Sequence, residues 1–457
     1  MLSAHLGCRG LAGLARGSLQ ILQQLQRQLS SASSASAAEA AAPAGTTVQD
    51  PADTLEFPGG RVPFTNSMDF LGGQLTSSSP RIPCYRTVDG TGKQIADAAV
   101  PHDLQQPDAV ALYTAMAKLQ VMDTICYDAQ RQGRFSFFMT CAGEEATVVG
   151  SAAGLDPRDV VFSQYREHGV LLWRGFSFDD FANQLYGNNL EPGKGRQMPI
   201  HYGSKELYYQ TVSSPLATQL PHAAGAAYAM KACTSNLELS SDTVTAAYFG
   251  EGASSEGDFH AALNFAATLG APCLFICRNN GYAISTPANE QYAGDGVACR
   301  GVAYGVPAIR VDGGDARAVY CATRAARAMA LRDGCPVLIE AMSYRSGHHS
   351  TSDDSSRYRT REEMVAWRAR DPVVRFRHWL ASNGWWDEAQ EKQLRHATRQ
   401  QVIEALEKAS KVAKPPVSDM FTDVYAEMPW HLEEQLQETL QVARRHPHLC
   451  PPDMPVK

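Results

Sequence analysis

Thr243-Val-Thr-Ala-Ala-Tyr-Phe249 runs directly into Gly250-Glu251-Gly252, and Cys273-Leu-Phe-Ile-Cys277 runs directly into Arg278-Asn279-Asn280-Gly281-Tyr282. Each is a strand-length apolar run that stops at a polar turn, and the small-residue stretch from Gly257 to Leu269 between them reads as a helix. Strand, helix and strand make two neighbours in a parallel sheet. In such sheets ligands sit beyond the carboxyl ends of the strands, so both polar clusters face one pocket. An acid between two glycines and an asparagine on the next strand supply two hard oxygen ligands suited to Mg²⁺, an ion that completes its octahedron with water and substrate phosphates. The glycines let the backbone approach phosphates closely, and the helix beginning near Gly257 adds amides and a positive dipole end. A dinucleotide fingerprint is the rival reading, with Ser255 in the third glycine place and Arg278 on a ribose phosphate. That reading sets Glu251 directly against a pyrophosphate, which is repulsive unless a metal lies between, and it requires no Asn279-Asn280 pair.

The alternation continues on both sides of this stretch. Val160 to Phe162 and Val337 to Met342 read as strands, and Glu144 to Ala153, His222 to Lys231 and Ala316 to Leu331 as helices. The expected fold class is α/β, a parallel sheet covered by helices on both faces. Ahead of it, Val110, Leu112, Met116, Leu119, Met122, Ile125 and Cys126 recur at helical spacing, which predicts a long helix with one buried face from Pro107 to Arg131. Earlier still, an irregular arm runs to about His102, broken at Pro58, Gly59-Gly60, Pro63, Gly72-Gly73, Pro80 and Pro83; such an arm suits wrapping a neighbour better than folding alone. Beyond the sheet, Arg361 to Arg370, Val373 to Ser382 and Asp387 to Ala413 predict a charged helical tail, interrupted at Pro372 and Gly384 and followed by Pro415-Pro416 and a Pro-rich end. The expected divisions are a leader and arm over 30–102, an α/β domain over 103–360 and a helical tail over 361–457.

Composition removes several function classes. The 457 residues carry 41 Lys plus Arg against 48 Asp plus Glu, a net charge of -7 without a long basic run, so no footprint for nucleic acid is present. No uncharged apolar stretch approaches the roughly 20 residues that cross a bilayer, so no membrane span is expected. The 11 cysteines form no CxxC pair and read as buried thiols in a reducing compartment. From Met1 to Ala38 there is no acid, while Arg9, Arg16 and Arg27 punctuate a Leu-, Gln-, Ser- and Ala-rich stretch. That predicts a mitochondrial transit peptide over 1–29, a cleavage site at Arg27-Gln28-Leu29-Ser30 and a matrix location.

Together Gly250-Glu251-Gly252 and Asn279-Asn280 resemble the thiamine diphosphate motif, in which the acid, Asn280 and the Tyr282 backbone carbonyl hold Mg²⁺ against the diphosphate. The likeness goes further. In this order, Tyr165-Arg166-Glu-His-Gly, Ser213-Ser214-Pro215-Leu216-Ala-Thr218-Gln219, Gly250-Glu251-Gly-Ala-Ser-Ser-Glu-Gly, Arg278-Asn-Asn-Gly-Tyr-Ala-Ile-Ser-Thr-Pro and Tyr344-Arg345-Ser-Gly-His348-His349-Ser350 resemble the alpha subunits of branched-chain 2-oxoacid dehydrogenase complexes, over about Gly59 to the C-terminus. The resemblance implies the diphosphate-binding type of the thiamine diphosphate fold. It implies that Tyr165, Arg166 and Arg278 bind the diphosphate, with Gly252 and Ala253 also in the cofactor site, and that Ser214 and Leu216 contact the aminopyrimidine. It places Ser213, Pro215, Thr218 and Gln219 around a structural K⁺, His349 beside the reacting carbon, and a regulatory phosphorylation at Ser350. The chemistry of these residue types agrees: forked arginine donors neutralise a diphosphate, and a histidine can donate or accept a proton near neutral pH.

The implied activity is oxidative decarboxylation of the 2-oxoacids from Val, Leu and Ile, with acyl transfer to lipoamide. Pyruvate as substrate, or a non-catalytic paralogue that binds the beta subunit, are the alternatives. Thiamine diphosphate must be gripped at both ends and only one α/β domain is legible, so the other half-site has to come from a second chain. The resemblance names it as a beta subunit in an alpha2-beta2 heterotetramer, served by a lipoyl-bearing acyltransferase core, a kinase and a phosphatase. The sequence departs from the family at Phe138-Met-Thr-Cys-Ala142, usually Tyr-Met-Thr-Asn-Tyr, at Ser346, usually Ile, and at Thr360, usually Ser; Lys231 to Tyr248 is about six residues longer. The segment from Arg345 to Thr360 has almost no apolar residues, which predicts a loop ordered mainly by bound cofactor and substrate.

Overall fold

The seven sheet strands are β1 (Cys84–Tyr85), β2 (Val160–Phe162), β3 (Tyr209–Gln210), β4 (Thr245–Gly250), β5 (Cys273–Asn279), β6 (Ala308–Asp312) and β7 (Val337–Met342). They lie in the order β1-β6-β7-β5-β4-β2-β3, and every pairing is parallel. The apolar runs of β4, β5 and β7 are continuous because both faces are covered. Alternate residues divide between two cores: Ala246, Tyr248, Leu274, Ile276, Ile339 and Ala341 face one, and Ala247, Phe249, Cys273, Phe275, Cys277 and Leu338 the other. Helices α1 (Gln106–Arg131), α2 (Glu145–Gly154), α3 (His168–Trp173), α4 (Phe178–Tyr186) and α7 (Ala316–Asp333) fill the first side, and α5 (Gln219–Ala232) and α6 (Gly257–Leu269) the second. The expected α/β class, with helices on both faces, is what forms.

This computed structural model describes residues 54–57, 60–63, 67–68, 79–232, 242–422 and 424–456. The transit-peptide segment and most of the long connection after Lys231 lie outside them. The chain divides into two units, Met1–Gly73 and Gln74–Lys457. In the first, Thr54–Phe57 pairs antiparallel with Gly60–Pro63.

Besides β3, α3 and α4, which the sequence pattern does not predict, three elements differ from expectation. The end of the arm is part of the sheet: β1 pairs with β6, and the buried Asp315 carboxylate accepts from Thr87 N at 2.6 Å and Val88 N at 2.8 Å while capping α7 through Ala318 N at 3.0 Å. A two-residue strand has no period to read. Strand β6 was hidden by Arg310 and Asp312, whose charges resemble a loop; Arg310 is satisfied inside by Glu340 at 3.0 Å and Asp295 at 3.0 Å. The Pro-rich end contains α11 (Trp430–Arg445), a run of strong helix formers entered after Pro429. Between them, α8 (Arg361–Arg368), α9 (Pro372–Ser382) and α10 (Glu388–Ala409) form the expected helices, with α10 ending short of Ala413. Among the described cysteines none is in a disulfide, but Cys84 is exposed rather than buried. Among the described residues no helix is long and apolar enough to cross a membrane.

Candidate active site

Adjacent strands β4 and β5 run in register with Gly250 opposite Arg278, so Glu251 and Asn280 emerge side by side at the carboxyl edge. Gly252 is required by crowding: a Cβ there would come within 2.9 Å of the Ala283 Cβ. Glu251 is 1% exposed. Its Oε2 accepts from Asn280 N at 3.3 Å, while its Oε1 is buried with no hydrogen-bond partner. Burial, then the charge of Glu144, pushes the Glu251 carboxyl above the usual range. A buried oxygen anion without a donor is what a divalent cation satisfies. Asn280 and Tyr282 line the same cleft; the Asn280 side-chain oxygen accepts from Tyr282 N at 3.2 Å, and the Tyr282 carbonyl lies 3.5 Å from Arg345 Nη1.

Behind this edge lies a lattice of buried charge. Arg278 is held by Glu167 through Nε and by Glu144 through Nη1 at 2.6 Å; burial opposes its charge, but the two carboxylates keep its pKa well above the ordinary value. Glu144 also accepts from Asn280 Nδ2 at 2.9 Å, tying the metal-suited asparagine to the same lattice. Arg166 reaches Thr140 O at 2.6 Å and His349 O at 2.9 Å, and Gln164 takes Gly250 N at 2.9 Å.

His349 closes the cleft. Arg166 Nη2 lies 3.4 Å and Arg345 Nη1 3.3 Å from its Nδ1. Guanidiniums only donate, so Nδ1 is the acceptor and the ring proton is assigned to Nε2. Burial, then Arg166 and Arg345, push the imidazole down to about 3, so it is neutral at physiological pH.

The loop from Arg345 to Thr360 is held differently from expectation. It lacks apolar anchors, but its own polar groups cross-link it: Asp353 accepts from His349 N at 2.7 Å and Tyr358 OH at 2.6 Å, His348 Nδ1 accepts from Ser355 N at 3.0 Å, and Arg345 reaches Ile284 O at 2.7 Å. Arg359 ties Arg345 O and Gly347 O. Ser350 is 8% exposed, its Oγ 3.0 Å from Ser352 Oγ.

The cleft gathers Tyr165, Arg166, Leu216, Glu251, Gly252, Ala253, Arg278, Asn280, Tyr282 and His349 from five separate stretches of sequence. Leu216 is 37% exposed there, an apolar surface among charges. Ser213, Ser214, Pro215, Thr218 and Gln219 stand outside its lining. Thr218 Oγ1 lies 3.3 Å from Ser213 Oγ and 3.1 Å from Pro215 O, gathering three oxygens, whereas Gln219 donates to Tyr248 O at 2.8 Å. Ser214 Oγ is 2.5 Å from His201 Nε2. Sequence reasoning missed Glu144, Glu167, Gln164, His201 and the role of Arg345. A signal existed for the two glutamates: a buried arginine requires carboxylates, and both adjoin motif or helix-start residues.

A dry, unpaired carboxylate beside cationic side chains at a parallel sheet's carboxyl edge suits a divalent cation bound together with a phosphate-bearing group, the usual arrangement in α/β enzymes of this architecture. Here that class takes a definite form. Residues 113–418 match the family model of the dehydrogenase E1 component, and the chain belongs to that family. It is 52% identical over 403 residues, 88% of this chain and 83% of the relative, to the mitochondrial 2-oxoisovalerate dehydrogenase subunit alpha 1 of Arabidopsis thaliana. To the mitochondrial 2-oxoisovalerate dehydrogenase subunit alpha of Homo sapiens it is 53% identical, covering 85% of each chain, and to that of Caenorhabditis elegans 49%, covering 82% and 85%.

Proposed function

We propose that this chain is the alpha subunit of a mitochondrial branched-chain 2-oxoacid dehydrogenase, decarboxylating the 2-oxoacids from Val, Leu and Ile and passing the acyl group to lipoamide. The observation that carries the site assignment is Glu251 Oε1, buried and without a donor beside Asn280. Glu251, Asn280 and the Tyr282 carbonyl would hold Mg²⁺, and Tyr165, Arg166, Arg278 and the backbone at Gly252 and Ala253 the diphosphate of thiamine diphosphate. Bound thiamine diphosphate supplies the electron sink that decarboxylation of a 2-oxoacid needs. Leu216 and Ser214 would bear on the aminopyrimidine, and the oxygens of Ser213, Pro215 and Thr218, with Gln219, would take K⁺. His349 keeps a proton on Nε2 at neutral pH, available to a developing oxyanion. The relatives named for 2-oxoisovalerate support the branched substrate.

The E1 family implies a beta subunit, here in an alpha2-beta2 assembly with a lipoyl-bearing acyltransferase core, and this chain offers a single α/β domain for a cofactor that must be gripped at both ends. In this reading residues 1–29 are the transit peptide, 30–102 a leader and arm whose end joins the sheet as β1, 103–360 the rest of the cofactor-binding domain and 361–457 a helical tail. A kinase and a phosphatase would act at Ser350, where roughly -1.5 to -2 of added charge falls beside Asp353 and competes with the His349 N–H bond that orders the loop.

The test is co-expression of residues 30–457 with the beta subunit, followed by assay of 3-methyl-2-oxobutanoate against pyruvate with Mg²⁺ and thiamine diphosphate. The branched substrate should be strongly preferred. Equal or greater activity on pyruvate overturns the substrate assignment, and no turnover despite bound cofactor makes the chain a non-catalytic paralogue.

A further inference from the structure

We propose that Asp123, acting through His168 and Cys141, is a positioning residue for Arg166; this rests on the reading of Arg166 as a diphosphate ligand. Asp123 is the only charged residue among the buried positions of α1, and a carboxylate so placed is tolerated only with donors. Its Oδ1 lies 2.7 Å from His168 Nε2 and its Oδ2 accepts from Cys141 N at 2.5 Å. These two partners bracket Arg166. Cys141 Sγ donates to Arg166 O at 2.8 Å, and the preceding residue, Thr140, takes Arg166 Nη1 at 2.6 Å. His168 is two residues beyond Arg166, with its Nε2 3.5 Å from the same sulfur.

Arg166 is therefore held at its carbonyl and at its guanidinium by one short segment, and that segment hangs on Asp123. Of the two other guanidinium nitrogens, Nε lies 4.0 Å from Glu144 Oε1 and Nη2 is aimed at His349 and the cleft. Burial, then the nearby Asp123 charge, keeps the Cys141 thiol protonated and so a donor. Residue 141 is where the chain departs from the asparagine usual in the resembling family, and His168 is the side chain the thiol meets in exchange.

Asp123, Cys141 and His168 are residue types that hold transition metals, and their ligand atoms lie within 4.8 Å of one another. The contacts favour the structural role. At 2.7 Å the carboxylate and imidazole share a hydrogen bond, closer than two ligands spaced around a tetrahedral ion bonded at about 2.0–2.3 Å, and the thiol proton is given to a carbonyl.

A double-mutant cycle in the assembled heterotetramer decides the matter, reading the dissociation constant of thiamine diphosphate with Mg²⁺ by tryptophan fluorescence and, separately, the thermal midpoint of the cofactor-free complex. Cys141→Ala should weaken binding about fivefold, as loss of one neutral hydrogen bond does, and Cys141→Ser should restore it. In an Arg166→Gln background, Cys141→Ala should add no further loss. Asp123→Asn should weaken binding about twentyfold, as loss of charge-assisted bonds does; if it fails to assemble, the Cys141 cycle decides alone. Additive losses in the double variant, or a lowered midpoint with unchanged affinity in Cys141→Ala, overturn the positioning role. Unchanged affinity in Arg166→Gln overturns both the diphosphate assignment of Arg166 and the inference built on it.

Discussion

At the residue scale the site is a problem in buried charge. Glu251 is an acid that the folded chain desolvates without supplying a donor to Oε1, so its ionised form is costly until a cation arrives. Glu251→Gln should leave the cofactor-free chain as stable as wild type or slightly more so, while abolishing the rise in thermal midpoint that Mg²⁺ with thiamine diphosphate produces. A retained rise in differential scanning fluorimetry would remove Glu251 from the metal site. Arg278 behaves oppositely. From sequence alone, Arg278→Lys is a mild change that keeps the charge. In the structure the guanidinium fork serves Glu167 and Glu144 together, and an ammonium cannot span both. The substitution should cost about 2–3 kcal/mol of folding stability through the under-satisfied carboxylates, visible as a lower urea midpoint, besides weakening cofactor binding. An unchanged midpoint would show that the lattice tolerates a single donor.

At the element scale the loop between β7 and α8 carries both His349 and Ser350. It is held by the mutual hydrogen bonds of His349, Asp353, Tyr358, Arg345 and Arg359 and by the packing of Tyr358 and Arg359 against the Tyr282 ring. A polar network of this kind fails together when one charge is misplaced. Ser350→Glu puts a carboxylate at a buried position near Asp353, and should reduce overall complex activity at least tenfold while assembly, followed by size-exclusion chromatography, stays intact. Near-normal acyl transfer to the lipoyl domain would remove the regulatory role of this loop. Thr360 is different because it is the N-cap of α8, its Oγ1 accepting from Glu363 N at 3.2 Å. Thr360→Ala should cost about 1 kcal/mol, and Thr360→Glu much less activity than Ser350→Glu, since an added acid at a helix amino end is favourable. The cap matters beyond its own helix: Glu363 accepts from Tyr282 OH at 3.0 Å and Tyr344 OH at 2.9 Å, linking α8 to a residue that lines the cleft.

For the whole molecule, the half-buried His349 makes stability depend on pH in a definite sense. Its folded pKa is pushed down to about 3 from an ordinary 6.5, so below pH 6.5 the unfolded chain takes up a proton that the folded chain refuses. Stability is therefore complete above pH 6.5 and declines as pH falls from there toward 3. The cofactor-free His349→Gln protein should lose less stability than wild type between pH 7 and pH 5, measured by urea unfolding at each pH. Equal losses would place the imidazole in contact with solvent.

Sequence by itself determined the sheet, because continuous apolar runs ending in glycine-rich polar turns have one economical arrangement, parallel strands covered on both faces with ligands at the carboxyl edge. It also singled out Glu251 and Asn280, whose chemistry is readable from their neighbours, while Arg278, Arg166 and His349 took their roles from the family resemblance. Strands β1, β3 and β6 were not legible, the first two for want of length and the third because Arg310 and Asp312 make it look exposed until Glu340 and Asp295 are seen beside it. Nor were the partners of Glu144, Glu167 and Asp123, which are distant in sequence: Glu144 meets Arg278 across 134 positions, and Asp123 meets His168 across 45. Whether a charge is exposed, paired or left unpaired is a property of what surrounds it in three dimensions. Only the tertiary structure brings those surroundings together, and with them the ionisation state on which the chemistry of this site depends.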